Sequence, residues 1–197
     1  MKRTGLFGGT FDPVHKGHIM VAEIAKKEMD LDEVIFVPAG NPPHKTDKKI
    51  ADGKDRLNML LLATGDIPYF KVCDAEIKKK EKSYSVDLIK HFKEKLQETE
   101  LFFIIGADSL YNLPTWYNYE ELMQMTNFIV ISRPETNKSS LLDKFSGNEK
   151  PMRAFFIDDV SIDISSTEIR KMLKSGADTE KYLDKSVLNY IRANRLY

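Results

Sequence analysis

Gly8-Gly9-Thr10-Phe11-Asp12-Pro13-Val14-His15-Lys16-Gly17-His18 holds the residues of this 197-residue chain best suited to chemistry on an anion. The stretch follows a short apolar start and precedes a segment with helical spacing. Paired glycines let backbone amides approach a ligand closely, and a helix N-terminus beside them favours negative charge. Two histidines three residues apart can donate to phosphate oxygens, or to charge developing on them. A Gly-Gly pair alone reads as a tight turn. With Thr, Asp-Pro and both histidines in the same stretch, the spacing predicts an anion site.

Ile164-Ser165-Ser166-Thr167-Glu168-Ile169-Arg170 offers a second set. Ser165-x-x-Glu168 is a capping-box pattern, so Ser165, Ser166 and Thr167 stand where a helix begins and present N–H groups and hydroxyls to an anion. Arg170, one turn later, supplies a charged fork. By itself this segment also fits a plain N-cap followed by a surface arginine.

Other chemistries lack their parts. There is no G-x-x-x-x-G-K-[ST] loop, no G-x-S-x-G elbow and no H-E-x-x-H helix. Cys73 is the only cysteine, which excludes an internal disulfide and a cysteine-rich zinc site. Metal ligation by His15 and His18 is not expected. Lys+Arg and Asp+Glu both number 30, so no global field draws the chain to nucleic acid or to an anionic membrane. No apolar run approaches membrane-spanning length, and glycines interrupt the N-terminal run before a signal-peptide core can form. A cytoplasmic location is the expectation.

Positioning these residues requires an alternating framework. Strands are predicted at Lys2 to Phe7, Val34 to Pro38, Tyr69 to Cys73, Leu101 to Ile105, Phe128 to Ile131 and Ala154 to Ile157. Between them run helical stripes: Val21, Ala22, Ala25 and Met29; Leu57, Leu60 and Leu61; Val86, Ile89, Phe92 and Leu96. Ile169, Met172 and Leu173 lie on a helix ending at Gly176, and Asp184 caps a last helix carrying Val187, Leu188 and Ile191. Cys73 is expected as a buried small hydrophobe, His91 on the exposed side of its helix, and Asn137 to Lys150 as a surface excursion. The fold class is α/β: one Rossmann-like, doubly wound, mainly parallel sheet across residues 1–197, with a helical end from about residue 165. In such a sheet ligands bind beyond the strand carboxyl ends where strand order reverses. Gly8-Gly9-Thr10 and Gly106-Ala107-Asp108 follow two strands that would meet there.

The two signatures, G-G-T-F-D-P-V-H-x-G-H and I-S-S-T-x-I-R, resemble those of nucleotidyltransferases that join a mononucleotide to the AMP part of ATP. Intermediate segments resemble the nicotinate-nucleotide adenylyltransferase branch. The resemblance implies adenylyl transfer from ATP to nicotinate mononucleotide, with pyrophosphate leaving and no covalent enzyme intermediate. It assigns His15, His18, Thr10 and Arg170 to the reacting phosphates, with Thr10 offering hydroxyl and amide. It places Gly8, Gly9, Phe11, Ser165, Ser166 and Thr167 around ATP, Gly106 and Asp108 at the adenosine, and Arg133 near the adenine. Asp108 is otherwise an N-cap.

For the mononucleotide, Pro38-Ala39-Gly40-Asn41-Pro42-Pro43-His44-Lys45 resembles the branch's P-x-x-x-P-P-H-K segment, with His44 and Lys45 facing its phosphate. Ser83-Tyr84-Ser85-Val86-Asp87 resembles S-Y-T-x-D-T, with Leu88 standing where the second Thr is usual. Tyr84, Ser85, Trp116 and Tyr117 would then hold the pyridine ring and its carboxylate. Mg²⁺ is implied on the ATP phosphates, with no protein ligand named. The partners implied are these small molecules, without nucleic acid or membrane, and a homodimer is one expectation for assembly. Nicotinamide-mononucleotide and phosphopantetheine adenylyltransferases are the alternatives, and a nucleotide-binding regulator without chemistry the remoter one.

Overall fold

The computed structural model describes residues 1–41, 50–79, 82–132, 136–147, 151–158 and 164–197. Six strands form one all-parallel sheet: β1 (Lys2–Gly9), β2 (Glu33–Pro38), β3 (Phe70–Val72), β4 (Thr99–Gly106), β5 (Asn127–Ile131) and β6 (Ala154–Ile157). Their spatial order is β3-β2-β1-β4-β5-β6. Strand order therefore reverses between β1 and β4, where Leu6 pairs with Phe103. The two strands that the glycine-bearing loops follow are neighbours.

Helices cover both faces. α1 (Lys16–Glu28), α2 (Gly53–Thr64), α7 (Ser166–Ser175) and α8 (Lys185–Ala193) pack on one; α3 (Ser85–Lys95), α4 (Ala107–Tyr111), α5 (Tyr119–Met125) and α6 (Lys138–Asp143) pack on the other. Strand side chains alternate between the two cores. Phe102 and Ile104 of β4 join the first, whereas Leu101, Phe103 and Ile105 join the second. Burial on both faces is why β4 reads as one continuous apolar run.

Both predicted helix starts carry their caps. Ser165 accepts from Glu168 N–H at 3.2 Å while Glu168 accepts from Ser165 N–H at 2.9 Å, and Asp184 accepts from Ser186 N–H at 2.8 Å. α7 ends on Gly176 at φ 73, a conformation glycine adopts without cost.

Four local expectations are corrected. α2 turns Arg56, Met59 and Leu60 inward and leaves Leu61 exposed, so a leucine stripe was the wrong guide to its face. Cys73 follows β3 and is only half-buried. His91 is half-buried, with Nε2 enclosed and unpartnered among the described residues and its pKa lowered by desolvation. The segment after β5 contains α6, whose Leu141, with Phe145 beyond it, is buried against the second core. Apolar anchors outweigh the polar composition there.

Candidate active site

β1 runs on through Gly8 and Gly9, and the chain then folds sharply into α1. Phe11 takes φ 50 and is buried, its ring 5.5 Å from that of Phe7 and 5.8 Å from that of Phe36. A Cβ on Gly9 would meet the Phe11 ring at 2.9 Å. Glycine stands at position 9 because an aromatic ring folds back onto it.

His15 is the N-cap of α1, and its N–H donates to His18 Nδ1 at 3.2 Å. That bond places the His18 proton on Nε2. The two imidazoles stack with centroids 3.7 Å apart. His15 is 6% exposed, its Nδ1 has no partner among the described residues, and desolvation lowers its pKa to about 4. His15 is thus neutral at pH 7, stacked on an imidazole whose Nδ1 is already engaged.

α7 reaches this platform from the far end of the chain. Ser166 donates to the Pro13 carbonyl at 3.0 Å, and Arg170 Nη1 donates to the Asp12 carbonyl at 2.6 Å. Arg170 also lies 3.5 Å from the Asp12 carboxylate and donates from Nη2 to Thr167 at 3.3 Å. The Ser165 hydroxyl is engaged with Glu168 at 2.7 Å. Both serine hydroxyls are therefore occupied, so an anion here would meet the backbone N–H groups of the first turn.

Two cavities open above the sheet. One, of about 560 Å³, is lined by Gly8, Gly9, Thr10, Tyr84, Ser85, Leu88, Ser109, Trp116 and Tyr117 among others. The Tyr84 and Tyr117 rings pack against each other in its wall, centroids 4.7 Å apart, and Trp116 packs edge-on against Phe103. The other, of about 340 Å³, is lined by His15, His18, Asp108, Ser165 and Ser166. Phe7, Ile105 and Gly106 belong to both walls. The cavities meet over the carboxyl ends of β1 and β4, at the switch point.

Thr10 lines the larger cavity and not the smaller one. Phe11 lines neither; it is core. Arg170 and Thr167 line neither cavity; Arg170 is bonded to Asp12 and Thr167, and Thr167 follows Ser166 of the smaller cavity's wall. Asp108 is not an N-cap: Gly106 holds that position of α4. His44, Lys45 and Arg133 lie outside the described residues.

Sequence reasoning missed the groups that brace this arrangement. Arg56, 2% exposed, donates to the carbonyls of Thr10 (2.8 Å), Ala39 (2.7 Å), Gly40 (3.4 Å) and Ala51 (3.1 Å). Ser83 accepts from the N–H groups of Gly40 and Asn41 at 3.1 and 3.3 Å. Asp12 Oδ1 accepts from Ala51 N–H at 3.2 Å and from the Tyr197 hydroxyl at 2.7 Å. Burial and that bond push the Tyr197 pKa up, so it remains a donor. Arg56 had a readable signal, a charge in register with Met59 and Leu60; Tyr197 had none.

Residues 6–172 match the cytidylyltransferase-like family. A Clostridium tetani protein named probable nicotinate-nucleotide adenylyltransferase is 38% identical over 199 residues, covering 100% of both chains. A Thermoanaerobacter sp. protein of the same name is 42% identical, covering 99% of this chain and 94% of its own. The solved Plasmodium falciparum nicotinic acid mononucleotide adenylyltransferase complexed with NaAD superimposes with a TM-score of 0.82 at 25% identity, covering 100% of this chain and 98% of its own. Among the described residues no helix is long and apolar enough to cross a membrane. By these matches and by the all-parallel sheet with its reversal at β1 and β4, the chain belongs to the cytidylyltransferase-like family and, within it, to the nicotinate-nucleotide adenylyltransferases.

Proposed function

We propose that the chain transfers the adenylyl group of ATP to the phosphate of nicotinate mononucleotide, giving nicotinate adenine dinucleotide and pyrophosphate. One observation carries this reading: two cavities of different character share the wall Phe7, Ile105 and Gly106. The larger, aromatic cavity suits a pyridine ring between Trp116 and the Tyr84–Tyr117 pair. The smaller, with two histidines and a helix N-terminus, suits a triphosphate. A phosphate of the first ligand then faces the α-phosphorus of the second across the shared wall.

The proposed work of the protein is alignment and charge stabilisation, since neither reactant needs a covalent attachment. His15 and His18 donate to phosphate oxygens, the first turn of α7 receives the leaving pyrophosphate, and Arg170 adds positive charge from behind it. Arg56 of α2 and Ser83 hold residues 39–41, from which the segment bearing His44 and Lys45 continues. Among the described residues no three His, Cys, Asp or Glu side chains converge on a point. Mg²⁺ is proposed to travel on the ATP phosphates, and no step is routed through it. Residues 1–197 are proposed to act as one unit, in the cytoplasm.

Purified protein with Mg²⁺ATP and a panel of mononucleotides, followed by pyrophosphate release, tests the reading. Turnover of the nicotinate form far above the nicotinamide form is expected. Equal rates would leave adenylyl transfer standing and remove the acid preference; no release with any acceptor would end the proposal.

A further inference from the structure

α8 does not simply stop. Arg195 takes φ 52, its N–H donates to the Arg192 carbonyl at 3.3 Å, and Leu196 N–H donates to the Ile191 carbonyl at 3.1 Å. This pair of bonds around a left-handed residue is a Schellman ending, and it turns the chain back toward the sheet. Leu196 and Tyr197 pack against the first core, and the Tyr197 hydroxyl arrives 2.7 Å from Asp12 Oδ1.

Asp12 is 3% exposed and stands at the centre of the site's bracing. Its Oδ1 takes the Ala51 N–H and the Tyr197 hydroxyl, its Oδ2 faces Arg170, and its carbonyl receives Arg170 Nη1. A carboxylate turns easily about its last torsion. Two donors arriving on one oxygen fix that torsion and leave the other oxygen aimed at the guanidinium. Arg170 is in this way held before any ligand arrives, between Asp12 of the first signature and Thr167 of the second. Preorganised charge is what a polyphosphate site needs, because an arginine still searching rotamers loses that freedom on binding.

We propose that Tyr197 is a positioning residue for adenylyl transfer, its hydroxyl orienting the Asp12 carboxylate that holds Arg170 in place. The proposal rests on the functional reading above and adds to it a residue that need not touch substrate.

Tyr197→Phe keeps the ring and removes only the hydroxyl. Steady-state kinetics on this variant should show kcat/KM for ATP reduced about tenfold and KM for the mononucleotide within twofold of wild type, with cooperative thermal unfolding retained. In an Arg170→Ala background, adding Tyr197→Phe should cost less than twofold, because the group it positions is gone. Wild-type kcat and KM for ATP in Tyr197→Phe, whatever its melting temperature, would overturn the proposal; so would losses that multiply in the double variant. Should wild type release no pyrophosphate, the functional reading fails, and calorimetry with a non-hydrolysable ATP analogue decides the remainder. Binding weakened about tenfold by Tyr197→Phe supports positioning, whereas equal binding, or none to wild type, refutes it.

Discussion

The Ser166 hydroxyl donates to the Pro13 carbonyl at 3.0 Å across 153 positions of sequence, tying the start of α7 to the turn before α1. The bond acts on the relative placement of two anion-facing helix ends. Ser166→Ala is expected to cost about 1 kcal/mol of stability and to raise KM for ATP more than KM for the mononucleotide. Urea unfolding and initial rates check the two parts separately.

His15 yields a pH dependence with a definite sign. Its folded pKa is about 4, below the usual 6.5, so between those values the unfolded chain binds the proton and the folded chain does not. Stability from this group is intact above pH 6.5 and is lost as pH falls through 4. The loss should amount to roughly 3 kcal/mol. His15→Asn should flatten the fall in unfolding free energy between pH 6.5 and 4; an unchanged slope would mean the group is not held neutral.

Arg56 is enclosed, and among the described residues its hydrogen bonds go to backbone carbonyls, four of them from three loop segments. Replacing it with Met leaves those carbonyls without donors, at a cost of about 2–4 kcal/mol. Lys cannot restore the fork, since an ammonium is a single point of donation. Arg56→Lys is therefore expected to fold with reduced melting temperature and a raised KM for the mononucleotide, measured alongside its KM for ATP as the internal control.

Trp116 lines the larger cavity alone of the two. Trp116→Ala should raise KM for the mononucleotide at least tenfold, while affinity for a non-hydrolysable ATP analogue stays within twofold of wild type. Equal weakening of both ligands would show that the two cavities do not divide the substrates.

What could be read in the chain was local. The caps at Ser165 and Asp184, the glycine at 176 and the six strands follow from short-range pattern, because capping and pleat alternation are settled within a few residues. The meeting of the Gly8 and Gly106 loops required topology, and the alternation of strands and helices supplied it; the approach of the second signature rested on the resemblance alone. What was not legible depends on long-range packing. Gly9 lines the larger cavity as a ligand-approach glycine would, and the ring of Phe11 adds a second constraint there that no spacing showed. Leucine spacing in α2 concealed an arginine that faces inward, and polar composition after β5 concealed the anchors Leu141 and Phe145. Ser83 and Tyr197 act through backbone groups and a carboxylate far along the chain, where no spacing rule reaches.

The partition formed by Phe7, Ile105 and Gly106 has a kinetic corollary. Before reaction each chamber would hold a separate guest; afterwards one covalently linked molecule would occupy both, and detachment of either half would leave it tethered at high local concentration by the other. Escape of the joined nucleotide, rather than bond formation, then becomes the natural bottleneck of the cycle, and that molecule should compete with both starting compounds at once.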